Sequence, residues 1–307
     1  MGAAIVLLST ARYLARESKG DEMANQAAEP LAGGIETPSG KGAGDENFPV
    51  GSILIARRLR PHLMRYYAFA RAADDIADNP GLAPDEKVRR LDAFEDGLAA
   101  GATAPEVAVR LRDSLTETGV PDAHARDLLV AFRQDATKLR YADWGELMDY
   151  CAVSAHPVGR YLLDLHGEDA ATHAPGDALC AALQVLNHLQ DCGEDRRDLD
   201  RIYLPGDWMA EAGIDVAALD APAASPGLRR VIDRCLDGCD RLLDRSAPLA
   251  GMIRARRLAA EVAVIQRLAR RLAARLRRED PLAGRIKHSK LDLLAGLAAG
   301  LGRLVRP

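Results

Sequence analysis

The sequence predicts an all-α protein, and three observations support that prediction. Alanine, leucine, arginine, glutamate and aspartate dominate the 307 residues, whereas β-branched residues are sparse, a composition that favours helices. Glycine, proline and aspartate mostly fall in short breaks between long helix-favouring stretches. Two of these stretches carry aspartates four residues apart, which is the spacing of one helix face. We therefore expect a single-domain helical bundle with a central cavity.

The composition also excludes several functional classes. A hydrophobic fraction of 48% with 28% charged residues is typical of a globular protein, and the net charge of −4 gives no general reason to expect nucleic acid. The five cysteines show no CxxC spacing, which indicates a reducing compartment without disulfides. No stretch approaches the roughly 18 uninterrupted apolar residues of a membrane span, and the short apolar start lacks a preceding basic run. We expect a cytoplasmic protein.

The first 45 residues are predicted to be a flexible leader, because residues 32–44 are too rich in glycine and proline to hold regular structure. The helical domain is expected over residues 46–307. A Gly-Lys dipeptide inside the leader does not meet the phosphate-loop pattern, since no strand precedes it.

The first aspartate pair lies in a helix predicted over residues 61–78. Asp74 and Asp78 are four residues apart and share one face of that helix. Arg71 and Tyr67 extend the same stripe toward the amino end. A face that carries acids, an arginine and a tyrosine is a poor core face, so it indicates a binding site. Asp75 lies about 100° round the helix and is expected either at the periphery or in a supporting position behind the site residues.

Further helices follow after short breaks. In the segment 143–168, Pro157 and Gly159 predict a kink that leaves room beside a pocket, and His156 next to it is interpreted as a structural residue. The predicted segments are 84–100, 105–118, 121–140, 143–168, 176–198, 225–246 and 248–278.

The second aspartate pair lies inside the segment 176–198. Asp191 and Asp195 are again four residues apart, and the amides Asn187 and Gln184 precede Asp191 by four and seven residues. If the two pairs face each other, four carboxylates converge, which is costly in self-repulsion unless cations neutralise them. Magnesium would do so while bridging to phosphate oxygens. The hypothesis is metal-assisted departure of a diphosphate, although acid pairs at this spacing are also common on solvated faces.

The C-terminal third is strongly basic. Residues 252–278 contain nine arginines against one acid, Glu261, which indicates either a solvated face or a membrane-surface face. Arg285 and Lys287 follow near a turn, from which they could reach a diphosphate. The tail over residues 291–305 is amphipathic and is expected to pack on the body or to contact lipid.

These features resemble those of the squalene and phytoene synthase family over about residues 46–287. The two acid motifs stand together with Tyr150-Cys151 and Tyr203-Leu204-Pro205, as they do in that family. The stretches 46–50, 154–160, 187–191 and 199–205 are most similar to the family's hydroxysqualene synthases of the hopanoid pathway.

The resemblance implies the isoprenoid-synthase helical fold and a set of site residues. It implies magnesium held by Asp74, Asp78, Asp191 and Asp195. It also implies that Tyr67, Arg71, Gln184 and Asn187 line the diphosphate region, with Tyr150 deeper in the cavity. Asn47 stands where relatives often place a serine near the diphosphate, and Gln190 stands where squalene and phytoene synthases usually carry an arginine. The loss of that cation favours a substrate with one diphosphate.

The reaction implied is presqualene diphosphate plus water giving hydroxysqualene and diphosphate, without a reductant. An alternative is the head-to-head condensation of two farnesyl diphosphates to presqualene diphosphate, squalene or a phytoene-type product. An alternative of another class is a non-catalytic helical scaffold that uses its arginine-rich face to bind membrane or partners. The expected partners are a small isoprenoid diphosphate, the upstream and downstream pathway enzymes, and the inner face of the membrane as a peripheral contact.

Overall fold

The computed structural model describes residues 55–99 and 104–305. The predicted leader over residues 1–45 and Asn47 lie outside the described residues. The described chain falls into two compact units, residues 55–137 and 138–305, and each is described by itself. Both are helical, which confirms the all-α prediction. No strand occurs among the described residues. An isolated β-bridge joins Arg140 and Ile202.

The first unit is built around one long helix. Its helices are α1 (Arg60–Ala77), α2 (Pro84–Leu98), α3 (Glu106–Thr118) and α4 (Ala123–Thr137). Helix α1 packs against the other three, and Phe69 contacts Phe94 of α2 edge to face at 5.5 Å between ring centroids. Proline in its first turn favours its start, so the helix predicted over residues 61–78 is confirmed.

The second unit contains the remaining helices. They are α5 (Trp144–Ser154), α6 (His156–Leu165), α7 (His173–Gln190), α8 (Cys192–Leu199), α9 (Gly206–Glu211), α10 (Pro226–Ser246), α11 (Leu249–Met252), α12 (Arg256–Leu276) and α13 (Lys290–Val305). Helix α7 packs against α6, α10 and α12, and α12 packs against α13. No helix in the described part of the chain is long and apolar enough to cross a bilayer.

Two of the predicted helices are divided in the structure. The segment 143–168 breaks at Ala155, two residues before Pro157. The kink is therefore confirmed, but the expected room beside it is wrong. A Cβ on Gly159 would lie 2.5 Å from Cys180 Sγ, so this glycine lets α6 approach α7 closely. The segment 248–278 likewise divides into α11 and α12.

The residues interpreted as structural behave as such. All five cysteines are buried and free, including Cys235 and Cys239. His156 Nδ1 lies 3.9 Å from Asp177 Oδ2, and burial lowers the pKa of this histidine. Neither feature requires a catalytic role.

Glu261 is a buried acid in α12, only 2% exposed, and its Oε2 has no hydrogen-bond partner. Burial raises its pKa to about 8, from a usual 4.5. Because the folded state disfavours the carboxylate, the protein loses stability as the pH rises between these two values. We expect Glu261→Gln to raise the free energy of unfolding by roughly 1–3 kcal/mol at about pH 9, with a much smaller gain at about pH 4.

Thermal unfolding at several pH values measures this gain. The control is Glu106→Gln on the exposed start of α3, which should leave the melting temperature unchanged at every pH. A gain for Glu261→Gln that did not grow with pH would contradict the assignment of the penalty to the buried charge.

Candidate active site

Asp74 of the first acid pair and its neighbour Asp75 lie in the last turns of α1 beside an arginine. Asp74 and Asp75 are 5% and 9% exposed. Arg71 Nη2 lies 2.9 Å from Asp75 Oδ1, and Arg71 Nη1 lies 3.6 Å from Asp74 Oδ2. Of the two positions expected for Asp75, the structure shows the supporting one, because its carboxylate is a buried partner of Arg71.

The rest of the predicted stripe follows the helix. Tyr67 is buried one turn before Arg71, and Asp78 is half-buried at the end of α1, where its N–H donates to the Asp74 carbonyl at 2.9 Å. Burial, and then the nearby Asp78 carboxylate, raise the pKa of Asp74 to about 8. An added cation would lower that pKa and favour the charged form.

The second acid pair lies at a helix break that the sequence did not predict. Helix α7 ends at Gln190 and α8 begins at Cys192, so the single helix expected over 176–198 is wrong. Asp191, between them, has φ −102° and ψ 8°. Its N–H still donates to the Asn187 carbonyl at 2.9 Å, and its carbonyl accepts from Asp195 at 2.8 Å. The four-residue spacing therefore survives the break.

Polar side chains surround this second pair. Asn187 is 2% exposed, and neither atom of its amide has a hydrogen-bond partner. Gln184 is fully buried and its Nε2 lies 2.9 Å from His188 Nε2. An amide nitrogen can only donate, which leaves His188 Nδ1 to carry the ring hydrogen. That nitrogen lies 3.8 Å from Asp195 Oδ2.

His188 was missed as a site residue, since a histidine beside an acid motif has no spacing signal of its own. Burial lowers its pKa well below the usual value, and its ring stacks on Tyr203 at 3.5 Å between centroids. Tyr150 and Tyr141 complete the cluster, with Tyr150 lying 5.6 Å from Tyr203 and 5.2 Å from Tyr141. The predicted site residue Tyr150 thus belongs to a buried aromatic cluster next to the second pair.

A cation reaches the second pair from a distant part of the chain. Arg285 Nε lies 3.9 Å from Asp191 Oδ1, and its contact with a diphosphate stays a prediction. Gln190 is buried and its amide donates to the Ile286 carbonyl, which ties the segment bearing Arg285 to the end of α7. Burial, and then the Asp195 charge, raise the pKa of Asp191 to about 6.

Arg197 is a second site residue that the sequence did not reveal. It lines a cavity of about 80 Å³ together with Gln190, Glu194 and Arg285. A Cβ on Gly193 would lie 3.0 Å from Arg197 Nη1, so the glycine four residues earlier makes room for the guanidinium. That spacing was the available signal.

The two acid pairs fit magnesium by the chemistry of their donors. Asp74 Oδ1 and Asp191 Oδ1 are buried without a hydrogen-bond partner, and both acids have raised pKa values. Within the described residues no group of three or more histidine, cysteine or acidic side chains forms a complete metal cage. Magnesium commonly takes one or two carboxylates and completes its shell with water and phosphate oxygens. The predicted convergence of the two pairs remains a prediction.

Comparison with known proteins identifies relatives over most of the chain. The family model for squalene/phytoene synthase matches residues 42–292. The hydroxysqualene synthase of Rhodopseudomonas palustris is 46% identical over 273 residues, which cover 88% of this chain and 93% of the relative. The hydroxysqualene synthase of Zymomonas mobilis is 45% identical over 270 residues, covering 87% and 91%.

A solved structure agrees with these sequence relatives. The crystal structure of squalene synthase HpnC from Alicyclobacillus acidocaldarius has 33% sequence identity and a TM-score of 0.66, and the match covers 74% of this chain and 86% of that one. The acid motifs, the helical architecture and the extent of these matches all indicate the same family. This chain belongs to the squalene/phytoene synthase family.

Proposed function

We propose that this protein is a hydroxysqualene synthase that converts presqualene diphosphate and water to hydroxysqualene and diphosphate. The observation that carries this proposal is the second acid pair, where the buried Asp191 Oδ1 has no hydrogen-bond partner and lies 3.9 Å from Arg285 Nε. Such a site suits a diphosphate leaving group. The choice among the reactions of the family follows the relatives named hydroxysqualene synthase, at 46% and 45% identity.

Ionisation of the substrate is the first step. The bond between the substrate carbon and the diphosphate oxygen breaks, and its electron pair leaves with the diphosphate. Arg71 and Arg285 would hold the leaving group by charge-assisted hydrogen bonds that strengthen as its charge grows. Magnesium bound by Asp74, Asp78, Asp191 and Asp195 would supply further charge neutralisation to the leaving diphosphate.

The carbocation that remains needs an apolar but electron-rich environment. The buried rings of Tyr141, Tyr150 and Tyr203 supply π faces that attract cations. The cyclopropylcarbinyl cation rearranges and water forms the new carbon–oxygen bond, while the proton lost from that water goes to the diphosphate. Because the overall change is substitution by water, no electrons are required from a reductant.

Gln190 favours the proposed reaction over the condensation of two farnesyl diphosphates. Its amide carries no charge and donates to the Ile286 carbonyl. An arginine at that position would add a fixed cation beside Asp191, whereas the glutamine adds none. The site therefore favours a substrate with one diphosphate.

Product analysis by mass spectrometry tests the proposal. Purified protein with presqualene diphosphate and magnesium should form hydroxysqualene at the same rate with and without NADPH, and ¹⁸O from labelled water should enter the product. Farnesyl diphosphate supplied alone should persist. Rapid consumption of farnesyl diphosphate would favour the condensation reaction, and squalene formed only with NADPH would show a reductive ending. No turnover of either diphosphate would favour the non-catalytic scaffold.

A further inference from the structure

Helix α13 is inverted with respect to the usual amphipathic pattern. Four of its leucines face solvent, and the exposed fractions of Leu291, Leu294, Leu297 and Leu301 are 76%, 61%, 50% and 61%. At 100° per residue these four positions fall within about 120° of one another around the helix axis. Contiguous exposed apolar faces of this kind mark interaction surfaces.

Glycines form the opposite face and explain the inversion. A Cβ on Gly296 would lie 3.2 Å from Leu268 Cγ, and a Cβ on Gly300 would lie 2.7 Å from Val264 Cγ2. The two glycines therefore allow α13 to approach α12 closely. Asp292 is buried on the same side, where it accepts from Ser289 Oγ at 2.7 Å and lies 3.5 Å from Arg275 Nη1. These contacts hold the leucines outward.

The charges of α12 are distributed unevenly around this surface. Arg270 and Arg277 are paired with acids of α10. Arg257, Arg267 and Arg278 are exposed, and no ion pair to any of them is found among the described residues. On the helical wheel of α12, Arg257 and Arg267 lie within about 60° of Val264, which contacts α13, and Arg278 follows two residues after the end of α12. The exposed guanidinium groups of Arg257 and Arg267 thus belong to the side of α12 that packs against α13.

We propose that α13 docks this protein on an anionic lipid surface. Its four exposed leucines, Leu291, Leu294, Leu297 and Leu301, which we call the leucine face, would enter the boundary between headgroups and acyl chains. Arg257, Arg267 and Arg278 would contact lipid phosphates, which carry the complementary charge. The leucine face and the arginines beside it fit a surface that is apolar in its interior and anionic at its edge. The lipid contact goes beyond the proposed function and does not depend on it.

Cosedimentation of the full-length protein with vesicles tests the docking. Vesicles of phosphatidylcholine with about 30% phosphatidylglycerol should bind the protein at least 10-fold more tightly than phosphatidylcholine alone, and salt should weaken the binding. Replacing all three arginines by glutamine should weaken vesicle binding about 100-fold, because each charge near the surface contributes a factor of about five. The matched control replaces the exposed Arg89, Arg110 and Arg230, which changes the net charge equally but should have a much smaller effect.

The leucine face is tested separately. Replacing its four leucines by glutamine should abolish vesicle binding, whereas Val130→Gln, an exposed apolar residue of α4, should not. A tryptophan at the exposed position of Leu294, introduced as Leu294→Trp, serves as a fluorescent reporter. When anionic vesicles are added, its emission should shift to the blue and should be quenched by brominated lipid. Absence of binding to anionic vesicles, or unchanged binding by the leucine variant, would overturn the proposal. So would a dimer in solution that requires the leucine face and binds no vesicles.

Discussion

Replacing Asp74 or Asp191, the first aspartate of each acid pair, by asparagine should lower turnover of presqualene diphosphate on the order of 1,000-fold. Neither change should unfold the protein. Asp74→Asn and Asp191→Asn keep the shape of the side chain but remove a carboxylate that we propose binds magnesium. Each change also removes a charge that lies close to another carboxylate, at Asp78 and Asp195 respectively. The metal-free variants should therefore be at least as stable as the natural protein.

The stability of Asp74→Asn should depend on pH in a defined direction. The folded-state pKa of Asp74 is about 8, against a usual 3.8, so its contribution to stability is fully present below the lower value and is lost as the pH rises through the upper one. The melting temperature of the variant should therefore exceed that of the natural protein more at about pH 9 than at about pH 4.

Metal binding separates a lost ligand from a damaged fold. Magnesium with diphosphate should raise the melting temperature of the natural protein, because a ligand that binds the folded state stabilises it. It should raise the melting temperature of the two variants much less. The controls are Asp113→Asn and Asp149→Asn, both on exposed positions, and both should keep full activity. Full activity in Asp74→Asn or Asp191→Asn would end the active-site interpretation.

Replacing Arg71 by methionine should have the second largest effect, and unlike the aspartate changes it should destabilise the protein. Arg71 is the cation beside Asp74 and Asp75, whose side chains are 7% and 10% exposed. Removing one partner of a buried ion pair typically costs about 3–5 kcal/mol. The loss should be larger at about pH 9 than at about pH 5, because burial raises the pKa of Asp74 to about 8 and its carboxyl group is protonated at the lower pH.

Activity of the Arg71→Met variant should fall at least about 100-fold, in line with the loss of one electrostatic group at a leaving anion. Arg71→Lys keeps the charge but not the two-pronged geometry, so it should recover part of the stability and less of the activity. The control is Arg110→Met, since the pair of Arg110 with Glu106 is 65% and 73% exposed and should contribute less than about 1 kcal/mol. Equal melting temperatures for Arg71→Met and Arg110→Met would contradict the assigned role.

The sequence was sufficient for those features that depend on local backbone geometry. The four-residue spacing of each acid pair is a property of helical hydrogen bonding, and it persists at Asp191 although α7 and α8 divide there. Proline and glycine placed most helix boundaries, including the end of α1 and the break before α6. The family resemblance likewise depended on local motifs, which is why a single sequence was enough to recognise it.

Contacts between distant segments could not be predicted in the same way. The sequence left open whether Asp75 lies at the periphery or in a supporting position, and the structure shows that it is buried beside Arg71. The space beside Gly159 is filled by Cys180, and Arg285 reaches Asp191 only because Gln190 holds the following segment in place.

The C-terminal helix shows the division most clearly. Its sequence by itself determined that one face is apolar and the other small and polar, but not which of them is buried. Only the tertiary structure decided that the face with Gly296 and Gly300 packs on α12 and that the leucines face outward. The physical reason is that periodicity belongs to the backbone of a single helix, whereas burial depends on how closely a partner helix can approach.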